Sequence, residues 1–134
     1  MPAEPLADAL AQSAFVVMGV LTRIAAENDL SLNQLRVLGI LRDRTLRMSE
    51  LADFLGLEKS ALSGLVDRAV RRGLLERSRS PVDSRALDVS MTAAGLGLAE
   101  LLQADLQRAL APLTGKLNAT EGRSLAGLLD RLLS

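Results

Sequence analysis

The chain of 134 residues has no Cys, no His, no Trp and no Tyr, and only two Phe. Each absence removes a chemistry. Without Cys or His there is no disulfide, no thiolate nucleophile, no haem axial His, no His-based catalytic triad and none of the usual zinc ligands. A site made of carboxylates alone is the metal option that remains, and no cofactor is expected. An excess of one charge is also missing, because 16 Lys plus Arg balance 16 Asp plus Glu. Taken over the whole chain, nothing favours an anionic partner. The start, MPAEPLADAL, lacks the basic segment of a signal peptide. The longest unbroken apolar run, Ala14 to Leu21, is too short to span a bilayer. A cytoplasmic protein with no membrane partner is expected.

What is present is hydrophobic and helix-forming. Hydrophobic residues make up 49% of the chain and leucine about a fifth, enough for one domain with an apolar core. Leu and Ala favour helix, and β-branched and aromatic residues are scarce. The expected fold class is mainly α with a small β-hairpin.

Apolar residues at Leu10, Ala14, Val17, Leu21 and Ile24 recur at helical spacing, which predicts a long first helix from Leu6 to about Glu27. Asn28-Asp29 break it. Ser31 with Gln34 forms a capping box for a second helix that runs to about Arg42. Ser49 is read as the cap of a short helix through Phe54. Gly56 marks a turn, and another amphipathic helix runs from Lys59 to about Arg72, ended by Gly73. The period then becomes two. Leu75, Arg77 and Arg79 alternate, SPVDS supplies turn chemistry, and Leu87, Val89 and Met91 alternate on the return strand. Thr92 caps a long helix that Pro112 bends or ends, and Asn118 with Glu121 offers a second capping box. In the last helix Leu125, Leu128, Leu129, Leu132 and Leu133 form one stripe.

The segment MSELADFLGLEKSALSGLVDRAV fits a helix-turn-helix. Ala52 is the small residue where the helices cross, Gly56 makes the turn, and Leu51, Leu55, Leu57, Leu62 and Leu65 supply the packing. On the second helix Leu62, Leu65, Val66 and Ala69 share a face, which leaves Ser60, Ser63, Gly64, Asp67 and Arg71 largely on the other. Two short helices joined through a Gly also occur in proteins that never touch DNA. The hairpin that follows is what turns the pattern into a winged helix, in which the second helix enters the major groove and the wing follows the backbone or the minor groove.

Charge resolved along the chain points the same way. Residues 42–85 hold ten basic and seven acidic residues, whereas residues 1–41 hold two and four, and 86–134 hold four and five. Within the middle, Arg68, Arg71, Arg72, Arg77, Arg79 and Arg85 face only Glu76 and Asp83. Solvated surface charge explains any one arginine; the cluster on these elements favours phosphate contact.

At this point the sequence resembles the MarR-type winged-helix transcriptional regulators over nearly its whole length. The specific features are the run LVDRAVRRGLLER, the wing residues Asp83-Ser84-Arg85, and Met91-Thr92 followed by Gly95. In that family the wing usually reads D-R-R, and the last Arg, held by the Asp, probes the minor groove. Those roles carry over to Arg85 and Asp83. Ser84 replaces the middle Arg, Gly64 stands where a larger DNA-contacting residue is frequent, and Ala69 stands where Leu is common.

The resemblance implies one unit over residues 1–134, with a winged helix-turn-helix at about 30–92 and dimerisation helices at about 6–28 and 93–134. The partners it implies are double-stranded DNA with a pseudo-palindromic operator, a second copy of the chain, and a small aromatic or anionic effector whose binding residues are unknown. The expected function is a homodimeric, sequence-specific repressor. Its DNA-facing set is Ser49, Lys59, Ser60, Ser63, Gly64, Asp67, Arg68, Arg71, Arg77, Arg79, Asp83 and Arg85. Phe15, Met18 and Phe54 are read as core. The alternative is a winged-helix module that binds protein rather than an operator. An enzyme is disfavoured, because neither Lys59 nor Lys116 has a Ser three residues before it and no Gly-rich phosphate loop is present.

Overall fold

The computed structural model describes residues 4–134; the first three residues of the N-terminal stretch discussed above lie outside the described residues. In chain order come α1 (Glu4–Glu27), α2 (Leu32–Ile40), a 3-10 turn (Leu41–Asp43), β1 (Leu46–Arg47), α3 (Met48–Leu55), α4 (Lys59–Arg71), β2 (Leu75–Arg79), β3 (Leu87–Met91), α5 (Ala93–Thr114) and α6 (Ala119–Leu133). The strands form one antiparallel sheet in the order β1-β3-β2. The register pairs Leu75 with Met91, Arg77 with Val89 and Arg79 with Leu87, so the two alternating sequence patterns share one face.

Local chemistry fixes the element ends. Gln34 N–H donates to Ser31 Oγ at 3.1 Å and Ser31 N–H donates to Gln34 Oε1 at 2.9 Å. The same reciprocal pair joins Asn118 and Glu121 at the start of α6. Gly56 and Gly73 end α3 and α4 at φ +66° and +74°, a conformation in which a Cβ is strained.

Two boundaries differ from the sequence expectation. Ser49 does not cap α3; the helix starts two residues earlier than that cap implies, at Met48 behind Arg47, whose N–H donates to Glu50 Oε1 at 3.0 Å. The cause is β1, a two-residue strand that pairs with Val89 and Asp88 and runs straight into the helix. Pro112 lies inside the last turn of α5, which continues to Thr114. There the missing N–H removes one late hydrogen bond and the helix carries on for two residues.

The core lies in the winged region. Val37, Leu38, Leu41, Leu51, Leu62, Val66, Leu75 and Val89 are almost fully buried, joined by Ile24 and Ala25 from the end of α1 and Leu102 from α5. Thr92 locks the wing to α5. Its Oγ1 donates to the Gly73 carbonyl at 2.6 Å and accepts from Gly95 N–H at 3.0 Å. Gly95 has no alternative here, since a Cβ would stand 2.1 Å from the Leu74 carbonyl oxygen. The Met-Thr-x-x-Gly pattern thus records a close crossing of backbone.

The aromatic residues are not core. Phe15 is 80% exposed and Phe54 51%, and Met18 is exposed as well. Phe15 and Met18 lie on α1 ahead of its buried Ile24 and Ala25, and Phe54 lies on an exposed face of α3. Most of α1 is apolar but uncovered: over Pro5–Glu27 it is long and apolar enough, by length and composition, to cross a membrane, with 11% of its most apolar window buried. An unbroken apolar run misses this because Gln12, Ser13 and Thr22 interrupt the run without adding charge. No residue of α6 is buried.

Candidate nucleic-acid interface

α4 is the element that organises the site. Its buried residues are Leu62, Leu65, Val66 and Ala69, and they fix its rotation against α2, α3 and β2. At 3.6 residues per turn, positions 60, 63, 64, 67, 68 and 71 then form a continuous outer face. Lys59, Ser60, Arg68 and Arg71 on or beside it are exposed, and Ser63, Gly64 and Asp67 are half-buried. A Cβ on Gly64 would meet only Arg68 Nη1, at 3.5 Å. The face is therefore shallow at its centre, with cationic side chains at both ends. Ser49 is exposed in the first turn of α3.

The wing loop is shaped by its own hydrogen bonds. Ser80 Oγ accepts from the Val82 and Asp83 N–H groups, and Ser80 N–H donates to the Ala86 carbonyl at 3.0 Å. Asp83 Oδ1 accepts from the Arg85 backbone N–H at 3.0 Å. Asp83 thus shapes the backbone from which the exposed Arg85 side chain projects. Arg79 is exposed at the base of the same loop.

Counting arginines did not reveal how they are used. Arg77 is half-buried; it forms an ion pair with Asp67 and its Nη2 lies 3.5 Å from the Ser63 carbonyl oxygen. Two members of the expected DNA-facing set therefore engage each other and tie the wing to α4. Arg72 donates to backbone carbonyls of the α1–α2 turn. No ion pair holds Lys59, Arg68, Arg71, Arg79 or Arg85 among the described residues. These five are the cations presented outward from α4 and the wing.

A second feature was missed in the sequence. A cavity of about 600 Å³ opens between α1, α2 and α5. Its walls are aliphatic, Met18, Leu35 and Leu106 among them, and its polar groups are Asn33, Arg36, Arg42 and Gln103. The residues come from three distant stretches at ordinary helical spacing, so no local pattern marks them. Arg36 Nη2 also donates to the Phe54 carbonyl at 3.0 Å, which joins a wall of the cavity to the last turn of α3.

A helix-turn-helix with an antiparallel wing, packed against long helices, defines the class of winged helix-turn-helix proteins. Within this class the chain is similar to the MarR family. The MarR family model matches residues 28–86. An uncharacterized HTH-type transcriptional regulator of Bacillus subtilis strain 168, YfiV, is 37% identical over 65 residues, a stretch covering 48% of this chain and 41% of that protein. The crystal structure of apo wild-type MarR from E. coli superposes with a TM-score of 0.80 at 27% identity, covering 97% of each chain. A mutant MarR from E. coli complexed with operator DNA gives 0.74 at 27% identity, covering 99% of this chain and 96% of that one.

Proposed function

We propose that the protein is a homodimeric, sequence-specific DNA-binding regulator, a repressor whose operator complex is released by a small anionic ligand. The observation that carries this is the outer face of α4, flanked by unpaired cations and adjoined by a wing that projects Arg85. Likeness to a MarR complexed with operator DNA supports it.

In this mechanism α4 enters the major groove. Ser60 and Ser63 face bases or adjacent phosphates, and Lys59, Arg68 and Arg71 contact phosphates. Ser49, at the start of α3, and Arg79 hold the backbone on either side. Arg85 enters the flanking minor groove, where a guanidinium reads groove width and potential. Gly64 lets the helix lie close. Asp67 and Arg77 act through each other, bracing the wing against α4 rather than meeting DNA.

A single winged unit covers too few base pairs for a unique site, and a two-fold protein matches a two-fold operator. The uncovered apolar surfaces of α1, the end of α5 and α6 supply the dimer contact. That occupant also accounts for the apolar length of α1 without a membrane. The cavity between α1, α2 and α5 takes the effector, with Arg36 and Arg42 facing its anionic group. Release requires that the effector bind the DNA-incompetent state more tightly.

The test is selection of bound duplexes from a random pool by the purified protein. A palindrome with half-sites about one helical turn apart is expected, and affinity for it should fall steeply with salt. Recovery of no common sequence, with no retention on duplex at low salt, would favour a protein-binding module instead. Benzoate at millimolar concentration should weaken the selected complex.

A further inference from the structure

Arg72 closes α4 as its cap residue, and its side chain reaches across to a different part of the molecule. Nη1 donates to the Asp29 carbonyl at 2.8 Å and Nη2 to the Asn28 carbonyl at 3.2 Å, across 43 and 44 residues of sequence. Those carbonyls form the elbow between α1 and α2. Asp29 takes φ +55° there, and Asn28 Nδ2 donates back to the Ile24 carbonyl at 2.8 Å. Carbonyls at a helix C-terminus carry the negative end of its dipole and lack partners within the helix. A planar, permanently charged guanidinium with two parallel donors suits such a pair better than any other side chain.

The main packing of α4 is against α2, α3 and β2, all within the winged unit. The Arg72 fork bridges that unit to the long helix. We infer that Arg72 is a positioning residue: it fixes the angle between α4 and α1, and so sets the distance between half-sites that the dimer accepts. This rests on the dimeric DNA-binding function proposed above. The leverage is large. α1 has 24 residues, an arm about 36 Å long at 1.5 Å per residue. A tilt of about 5° at the elbow moves its far end by about 3 Å, roughly one base-pair step. Arg72 is thereby removed from the phosphate-contacting cluster to which composition alone assigns it.

The experiment uses the full chain and the palindrome recovered by selection. It adds duplexes with one or two base pairs inserted or removed between half-sites, and a duplex with a single half-site. Wild-type protein should bind one spacing and reject its neighbours. Arg72→Ala should lose about tenfold on the best spacing, the scale of a charge-assisted hydrogen bond, and should discriminate less among spacings. Its affinity for the single half-site should stay within about twofold of wild type, with an unchanged salt slope. Arg72→Lys keeps the charge without the fork, so it too should show a flattened spacing profile.

A spacing profile in Arg72→Ala identical to that of wild type overturns the assignment. So does a salt slope reduced by about 0.9, which marks a lost phosphate contact, or full wild-type behaviour in Arg72→Lys. Wild-type protein that binds no duplex at all defeats the dimeric DNA-binding function itself, an outcome separate from these.

Discussion

The winged region and the helical ends are built from the same leucine-rich material and treat it in opposite ways. Leu62 on α4 is 0% exposed, whereas Leu128 and Leu132 on α6 are each 54% exposed. Both helices carry a clean apolar stripe. The difference lies in what the chain brings to meet it: α4 finds α2, α3 and β2 within a few dozen residues, and α6 finds nothing of its own chain that buries a single residue. An apolar stripe thus identifies a face to be covered without saying whether the cover is intramolecular. Stability of the first region is expected to be independent of protein concentration, and that of the second to depend on it.

The sharpest way to break this contrast is to disrupt each stripe on its own terms. If α6 is part of the proposed dimer contact, the double variant Leu128→Glu, Leu132→Glu should abolish that dimer, because an unpaired charge left in a buried interface costs about 3 to 5 kcal/mol. Sedimentation should show a monomer at micromolar concentration, with helix content retained and binding to the selected palindrome lost. Leu62→Ala is the counterpart in the winged core. Deleting a fully buried Leu side chain should cost about 2 to 5 kcal/mol, read as a lowered unfolding midpoint in denaturant. A double variant that remains dimeric would mean that α6 is not the interface.

How much of this was legible in the sequence depends on the range over which each feature is specified. Capping boxes at Ser31 and Asn118, the left-handed glycines and the alternating wing strands are set by residues three or four apart, and the sequence shows them. β1 has two residues, too few to display an alternation, and its pairing with β3 moved the start of α3 ahead of Ser49. The face of α4 was readable because its apolar residues fix the rotation of the helix. The destinations of Arg72 and Arg77 were not, since a residue count gives charge and not direction. The cavity was the least legible, because three separate helices build it from residues that look like ordinary core.

A smaller effect separates the wing from its support. Arg85→Ala removes an exposed side chain that forms no ion pair among the described residues, so the fold should be unaffected while duplex affinity falls by about 1 to 3 kcal/mol. Asp67→Ala, by contrast, releases Arg77 and should loosen the wing against α4. Its effect should appear in hydrogen exchange of the β2 and β3 amides as well as in binding. Equal losses of affinity with no change in exchange for either variant would show that the Asp67–Arg77 pair meets DNA directly.

The smallest expected effect tests the centre of the α4 face. Gly64 is a helix-interior glycine with open space where a Cβ would go, apart from Arg68 Nη1 at 3.5 Å. In such a position Gly costs about 1 kcal/mol relative to Ala, and nothing inside the chain returns that cost. Gly64→Ala should therefore stabilise the fold by about 1 kcal/mol, seen as a higher unfolding midpoint. If the helix lies close against base edges or backbone at this residue, the same methyl group should weaken binding to the selected palindrome or change its preferred sequence. Stability and affinity would then move in opposite directions at a single position. Raised stability with unchanged affinity and unchanged sequence preference would place Gly64 off the DNA and move the contact toward the Lys59 end of the helix.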